Sequence, residues 1–109
     1  MKILFDQGTP VPLRRSLIPH EVATAFELGW SNLVNGDLLA AAEGKLEALV
    51  TTDKNLRYQQ NSAEPARATA AILVLPTTNW LEIRNHLPEV TAAVNALKPG
   101  DYRELQWTT

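Results

Sequence analysis

Leu49-Val50-Thr51-Thr52-Asp53-Lys54-Asn55-Leu56 is the stretch whose reading decides the fold. A short apolar run stops at an acid and turns into a helix. The chain opens on a second copy of the pattern, Ile3-Leu4-Phe5-Asp6 followed by Gln7-Gly8-Thr9-Pro10. Continuous apolar runs suit parallel strands covered on both faces. In open α/β sheets, ligands bind outside the carboxyl ends of the strands. Neighbouring strands lie only about 5 Å apart. Asp6 and Asp53 would therefore share one small site if their strands are adjacent.

Outward from these runs, the elements alternate. Residues 2–5 read as a strand. Thr9 reads as the cap of a helix with Pro10 at its first position, Leu13, Leu17 and Ile18 inward, and Arg14 and Arg15 on the wet side. Pro19 ends it. Residues 20–26 read as a strand and 27–33 as a loop. Asn35 caps a helix with Asp37 in its first turn and an apolar stripe of Leu38, Leu39, Ala42 and Leu46. A strand over 48–52, a short helix over 54–60 and a polar loop over 61–66 follow. Residues 71–75 are the clearest strand, stopped by Pro76. Thr78 or Asn79 caps a helix whose Trp80, Ile83 and Leu87 share a face. Pro88 restarts helix with Val90, Val94 and Leu97 inward. Lys98-Pro99-Gly100 is a turn, and residues 102–107 alternate as an edge strand. Strands alternating with helices predict an α/β fold: a three-layer α/β/α sandwich on a mainly parallel sheet of four or five strands. The first strand and the 48–52 strand should be central neighbours.

The 109 residues suffice for one compact domain, 1–109. The chain has no cysteine, which excludes disulfides and thiolate metal sites and fits a reducing cytoplasm. The start, Met1 to Asp6, is too short and too soon acidic for a signal peptide. No run approaches the roughly 18 apolar residues of a membrane span. With a net charge of -2, any nucleic-acid binding must come from a local patch.

Asp6, Asp37 and Asp53 are the candidate chemistry. Two end strands and one begins a helix, a set that suits a hard divalent cation. Magnesium takes oxygen ligands and is usually held by one or two carboxylates plus substrate phosphates. So held, it activates water and stabilises the charge of phosphodiester cleavage. Each aspartate also has a plain structural reading: a helix cap for Asp53, a macrodipole partner for Asp37, a turn closer for Asp6. Lys54, Arg57 and Arg14 stand near enough to the acids to hold phosphate, with Arg15 better read as a solvated charge. Tyr58 could stack on a base, though a core or rim tyrosine is commoner. His20 and His86 lack partners at ligand spacing and read as structural. Trp30, Trp80 and Trp107 suit core or dimer contacts, which leaves a homodimer open.

The stretch from Asp37 through Ala40-Ala41-Ala42 to Thr51-Thr52-Asp53-Lys54-Asn55-Leu56 resembles the PIN-domain nucleases. Their pattern is an aspartate opening an alanine-rich helix, then a strand ending in Thr-x-Asp, then a basic and an apolar residue. Ile3-Leu4-Phe5-Asp6 resembles the first strand and first acid of that family. The resemblance implies a PIN-like fold, a cytoplasmic magnesium- or manganese-dependent ribonuclease, and RNA as substrate. It further implies the toxin of a toxin–antitoxin pair, with a small cognate antitoxin protein as partner and no membrane. Asp6, Asp37 and Asp53 would be the metal ligands. The family also has a further acid, usually a glutamate, on a helix between the first and third. The spacing from Asp6 to Asp37 leaves that insertion missing or shrunken, and neither Glu21 nor Glu27 sits in a matching motif.

Two other classes fit parts of the chain. One is a catalytically inactive PIN-like module that only binds a partner. The other is a phospho-acceptor receiver domain, for which Asp53 would be the acceptor, Thr77 or Thr78 the switch hydroxyl and Lys98-Pro99 the conserved-type lysine–proline pair. Gln7 after Asp6, and Lys54-Asn55-Leu56 after Asp53, suit the nuclease better.

Overall fold

A computed structural model of the chain describes residues 1–33, 37, 41, 45–54 and 70–107. The core is one sheet of five strands: β1 (Lys2–Phe5), β2 (Glu21–Thr24), β3 (Ala48–Thr51), β4 (Ala71–Val74) and β5 (Tyr102–Glu104). Their order is β2-β1-β3-β4-β5 and every pairing is parallel. β1 and β3 are neighbours, in register Ile3 with Ala48 and Phe5 with Val50.

The continuous apolar runs have their expected cause. Ile3, Phe5, Ala48, Val50, Ala71 and Leu73 point to one face, while Leu4, Leu49, Ile72 and Val74 point to the other. Both sets are buried, which is why the central strands are apolar up to Thr51, the last residue of β3. On the first face lie a 3₁₀ helix (Val11–Leu17), α1 (Trp80–Arg84) and α2 (Leu87–Ala96). They supply Leu13, Leu17, Ile83, Val90 and Val94. On the second face Trp30, Leu33 and Leu46 pack against the sheet.

The 3₁₀ helix belongs to the β1–β2 crossover, and α1 with α2 to the β4–β5 crossover. Both lie on one face but run to opposite edges of the sheet, so the two crossovers have opposite hands. One of them is therefore left-handed, against a right-handed preference of about 98%.

Several expectations change in detail. The helix after β1 is 3₁₀, and its cap is Pro10 rather than Thr9. Thr9 is instead drawn inward, as described below. The expected strand over 20–26 is shorter. His20 is outside it, with its ring between the Met1 amino group and Asn95. Phe26 is also outside, in a turn closed by Gly29 at φ +75. β5 stops at Glu104; Leu105 N still donates to Val74 O, and the chain then leaves the edge toward α1. There Trp107 stacks on His86 and donates to Glu82. Asn79, not Thr78, caps α1, accepting from Leu81 N and Glu82 N. The expected helices over 35–46 and 54–60 and the loop over 61–66 fall largely outside the described residues. Asp37 and Ala41 have helical backbone. Among the described residues no helix is long and apolar enough to cross a membrane.

Candidate functional site

The strand order puts the sequence reversal between β1 and β3. The chain leaves β1 toward one edge, and β3 begins the march toward the other. A crevice at such a switch point is where open α/β sheets bind ligands. Asp6 follows the last residue of β1, and Asp53 lies two residues beyond the last of β3.

Asp6 is only 6% exposed. Its Oδ1 accepts from Thr9 Oγ1 at 2.7 Å, and its Oδ2 accepts from Thr51 Oγ1. Thr9 has one hydroxyl hydrogen and two acceptors in reach, because Val50 O lies 2.9 Å away. It thereby ties the loop after β1 to the end of β3. Thr51 is fully buried and accepts from the Asp53 N–H at 3.0 Å. A hydrogen-bonded chain thus runs from the Asp53 backbone through the Thr51 hydroxyl to the Asp6 carboxylate. The link from Asp6 to the Asp53 backbone is made by Thr51, which sequence reading took for a strand residue, and Thr9, taken for a helix cap, ties Asp6 to Val50 O. The available signal was threonine beside both strand-ending acids.

Gly8 lets the loop sit this close. A Cβ there would lie 2.6 Å from Thr52 Oγ1, closer than real contacts come. A side chain would push the β1 loop off the end of β3.

On the β2 side of Asp6 opens a cavity of about 540 Å³. Gln7, Thr9, Arg14, Phe26 and Glu27 contribute to its wall. Arg14, expected on the wet side of a helix, is half-buried here and paired with Glu27. Glu27 also accepts from Thr24 N at 2.9 Å. That backbone hydrogen bond first, and Arg14 second, hold its carboxyl below the ordinary 4.5.

The other expected site residues distribute as follows. Lys54 is exposed directly after Asp53, and Arg15 is exposed on the 3₁₀ helix. Arg57 and Tyr58 lie outside the described residues. Asp37 is exposed. Among the described residues no three acidic, histidine or cysteine side chains come together as a metal-holding group. The structure ties the Asp6 carboxylate to the Asp53 backbone through Thr51 and shows no convergence of Asp37 on them. Lys98-Pro99 precedes β5, at the end of the sheet opposite Asp53, where it borders a cavity with Met1, Lys2 and Glu47. The receiver reading loses its lysine.

No family model matches the chain, and neither curated proteins nor solved structures include a significant match.

Proposed function

We propose that this protein is a metal-dependent ribonuclease working at the β1–β3 switch point, with Asp6 and Asp53 as its central acids. The observation that supports this reading is the placement of the pair: two strand-ending acids on neighbouring parallel strands, with the Asp53 backbone N–H tied through Thr51 to the Asp6 carboxylate. The donor set fits magnesium or manganese. It consists of hard oxygens only, and each Asp6 oxygen accepts a single hydroxyl bond from Thr9 or Thr51, leaving acceptor capacity. Magnesium is commonly held by one or two carboxylates with waters and substrate phosphate completing the set. Asp6 and Asp53 would hold it. When bound it supplies an activated water and charge neutralisation at the phosphate.

The chain's own residues do the rest. Thr9 and Thr51 fix the Asp6 carboxylate, so its oxygens need no reorganisation as substrate arrives. Lys54, exposed beside Asp53, and Arg57 after it would hold the phosphates that flank the scissile bond. The role of toxin with a small antitoxin partner belongs to the same proposal and rests on the sequence resemblance alone.

One observation favours a second reading. Asp6 is buried with both oxygens engaged, as a purely structural carboxylate would be, and a partner-binding module without catalysis needs nothing more. Single-stranded RNA incubated with manganese separates the two. Wild type should cleave and Asp53→Asn should not. Equal cleavage by both proteins removes Asp53 from the site, and no cleavage of varied RNAs by wild type supports the module. A small phosphodonor should label neither protein.

A further inference from the structure

The cavity beside Asp6 has a composition that selects its occupant. Asp6 and Glu27 both border it, so its interior repels a phosphate. Gln7, Thr9, Thr24 and Ser31 offer neutral hydrogen-bonding groups, and Val11 and Phe26 stand on its rim. Phe26 is 80% exposed and Val11 54%. Ile18, Leu28 and Leu81 are exposed as well, so it is the place of Phe26 and Val11 on the cavity wall, not their exposure, that marks them. The volume, about 540 Å³, is that of a small-ligand site. A planar, neutral group rich in donors and acceptors fits it, and an aromatic at the mouth is the common device for stacking such a group.

Arg14 adds a cation at the same opening. Its guanidinium is paired through one terminal nitrogen to Glu27, while its Nε is shut from solvent with no hydrogen-bond partner among the described residues. The side chain as a whole is 34% exposed, so an incoming phosphate can reach the guanidinium edge.

We propose that this cavity is a base-binding subsite for single-stranded RNA, with Phe26 as the stacking platform and Arg14 as the contact to the adjoining phosphate. The inference rests on the ribonuclease reading for its substrate, and it places one unstacked nucleotide on the β2 side of Asp6. Glu27 then competes with the phosphate for Arg14, so it sets the affinity from below.

The test separates binding from cleavage. A fluorescently labelled single-stranded RNA of about ten nucleotides is titrated with the full chain in EDTA at low salt. Phe26→Ala should weaken binding about tenfold, and Phe26→Trp should restore it. Glu27→Gln should tighten binding severalfold, since it removes a competing anion. Phe26 is exposed, so the melting temperature of its variants should match wild type. Unchanged affinity in Phe26→Ala overturns the subsite and assigns the apolar rim to protein contact. Absence of RNA binding by wild type also overturns it. Manganese is then added. Phe26-dependent binding without cleavage leaves the subsite standing and removes the nuclease reading. Cleavage with Phe26-independent binding does the reverse.

Discussion

Asp6 and Asp53 end two neighbouring strands with the same local grammar, an apolar run stopped by an acid, yet the fold treats them differently. Asp6 follows Phe5 directly, so its side chain stays level with the sheet and is enclosed by Thr9 and Thr51. Asp53 comes two residues after Thr51, so the strand has already released it, and it is half-buried beside exposed Lys54. One residue of offset decides whether a carboxylate belongs to the fold as well as the site. Asp6 is expected to serve both, and Asp53 mainly the chemistry.

The largest expected effect breaks or confirms that division. Asp53→Asn should cost about a hundredfold or more in manganese-dependent RNA cleavage. Stability should fall by less than in Asp6→Asn, because Asp53 is half-buried where Asp6 is only 6% exposed. A comparable loss of stability would mean that Asp53 is as structural as Asp6.

Asp6→Asn is the counterpart. An amide presents one acceptor oxygen where the carboxylate presents two, so one threonine hydroxyl faces a donor. Thr51 can keep the amide oxygen as its acceptor, and Thr9 can turn its hydrogen to Val50 O and accept one amide hydrogen, which leaves the second amide hydrogen unmet. Urea unfolding should show a loss of about 1–3 kcal/mol, the cost of a buried donor or acceptor left unmet. Thr51→Val should lose a similar amount, and the double variant should lose less than the two losses added, because both changes break one network. Strict additivity would dissolve the proposed bridge.

Smaller again is Gly8→Ala. Its Cβ meets Thr52 Oγ1, a short side chain that rotates only at χ1. Overpacking of this kind costs about 1–3 kcal/mol when the neighbour cannot move. A value near 1 kcal/mol is expected, because Thr52 is only half-buried. No loss at all would show that the β1 loop does not need its close approach to β3.

Much of this was legible in the chain. The strands β1, β3 and β4 announce themselves because burial on both faces demands unbroken apolar runs, and their adjacency follows from parallel α/β topology. The two linked acids follow from the strand ends. Side-chain destinations at the ends were less legible. Thr9 before Pro10 satisfies the rules for a helix cap, yet a buried carboxylate three residues earlier offered its hydroxyl a partner shielded from water. Arg14 sits on a polar helix face by period, but the β2 turn brings Glu27 against it, a tertiary event no local pattern encodes. Phe26 looked like the end of a strand because aromatics favour strands, while Gly29 at positive φ turns the chain just after it. Nor could alternation reveal that two crossovers to opposite edges share one face.

The smallest effect tests the acid on the far side of Asp6. Glu27 has its carboxyl held below the ordinary 4.5 by the Thr24 backbone N–H and then by Arg14. A lowered folded-state value means that the ionised form is favoured by folding. Its contribution to stability is therefore present above the unfolded value, near 4.5, and is lost as pH falls through the folded one. Glu27→Gln keeps the shape and an acceptor for Thr24 N but removes the charge. The melting temperature of wild type should exceed that of the variant by a small, constant margin from neutral pH down to about 5, and the margin should close on further acidification. Because the hydrogen bond to Thr24 outranks the ion pair, raising the salt to about 0.5 M should shrink the margin only in part. A margin that widens toward low pH would reverse the sign and show that the carboxyl is favoured in its neutral form. Complete loss of the margin in salt would give the interaction to Arg14 alone, and Glu27 would then gate that arginine more tightly than the Thr24 bond allows.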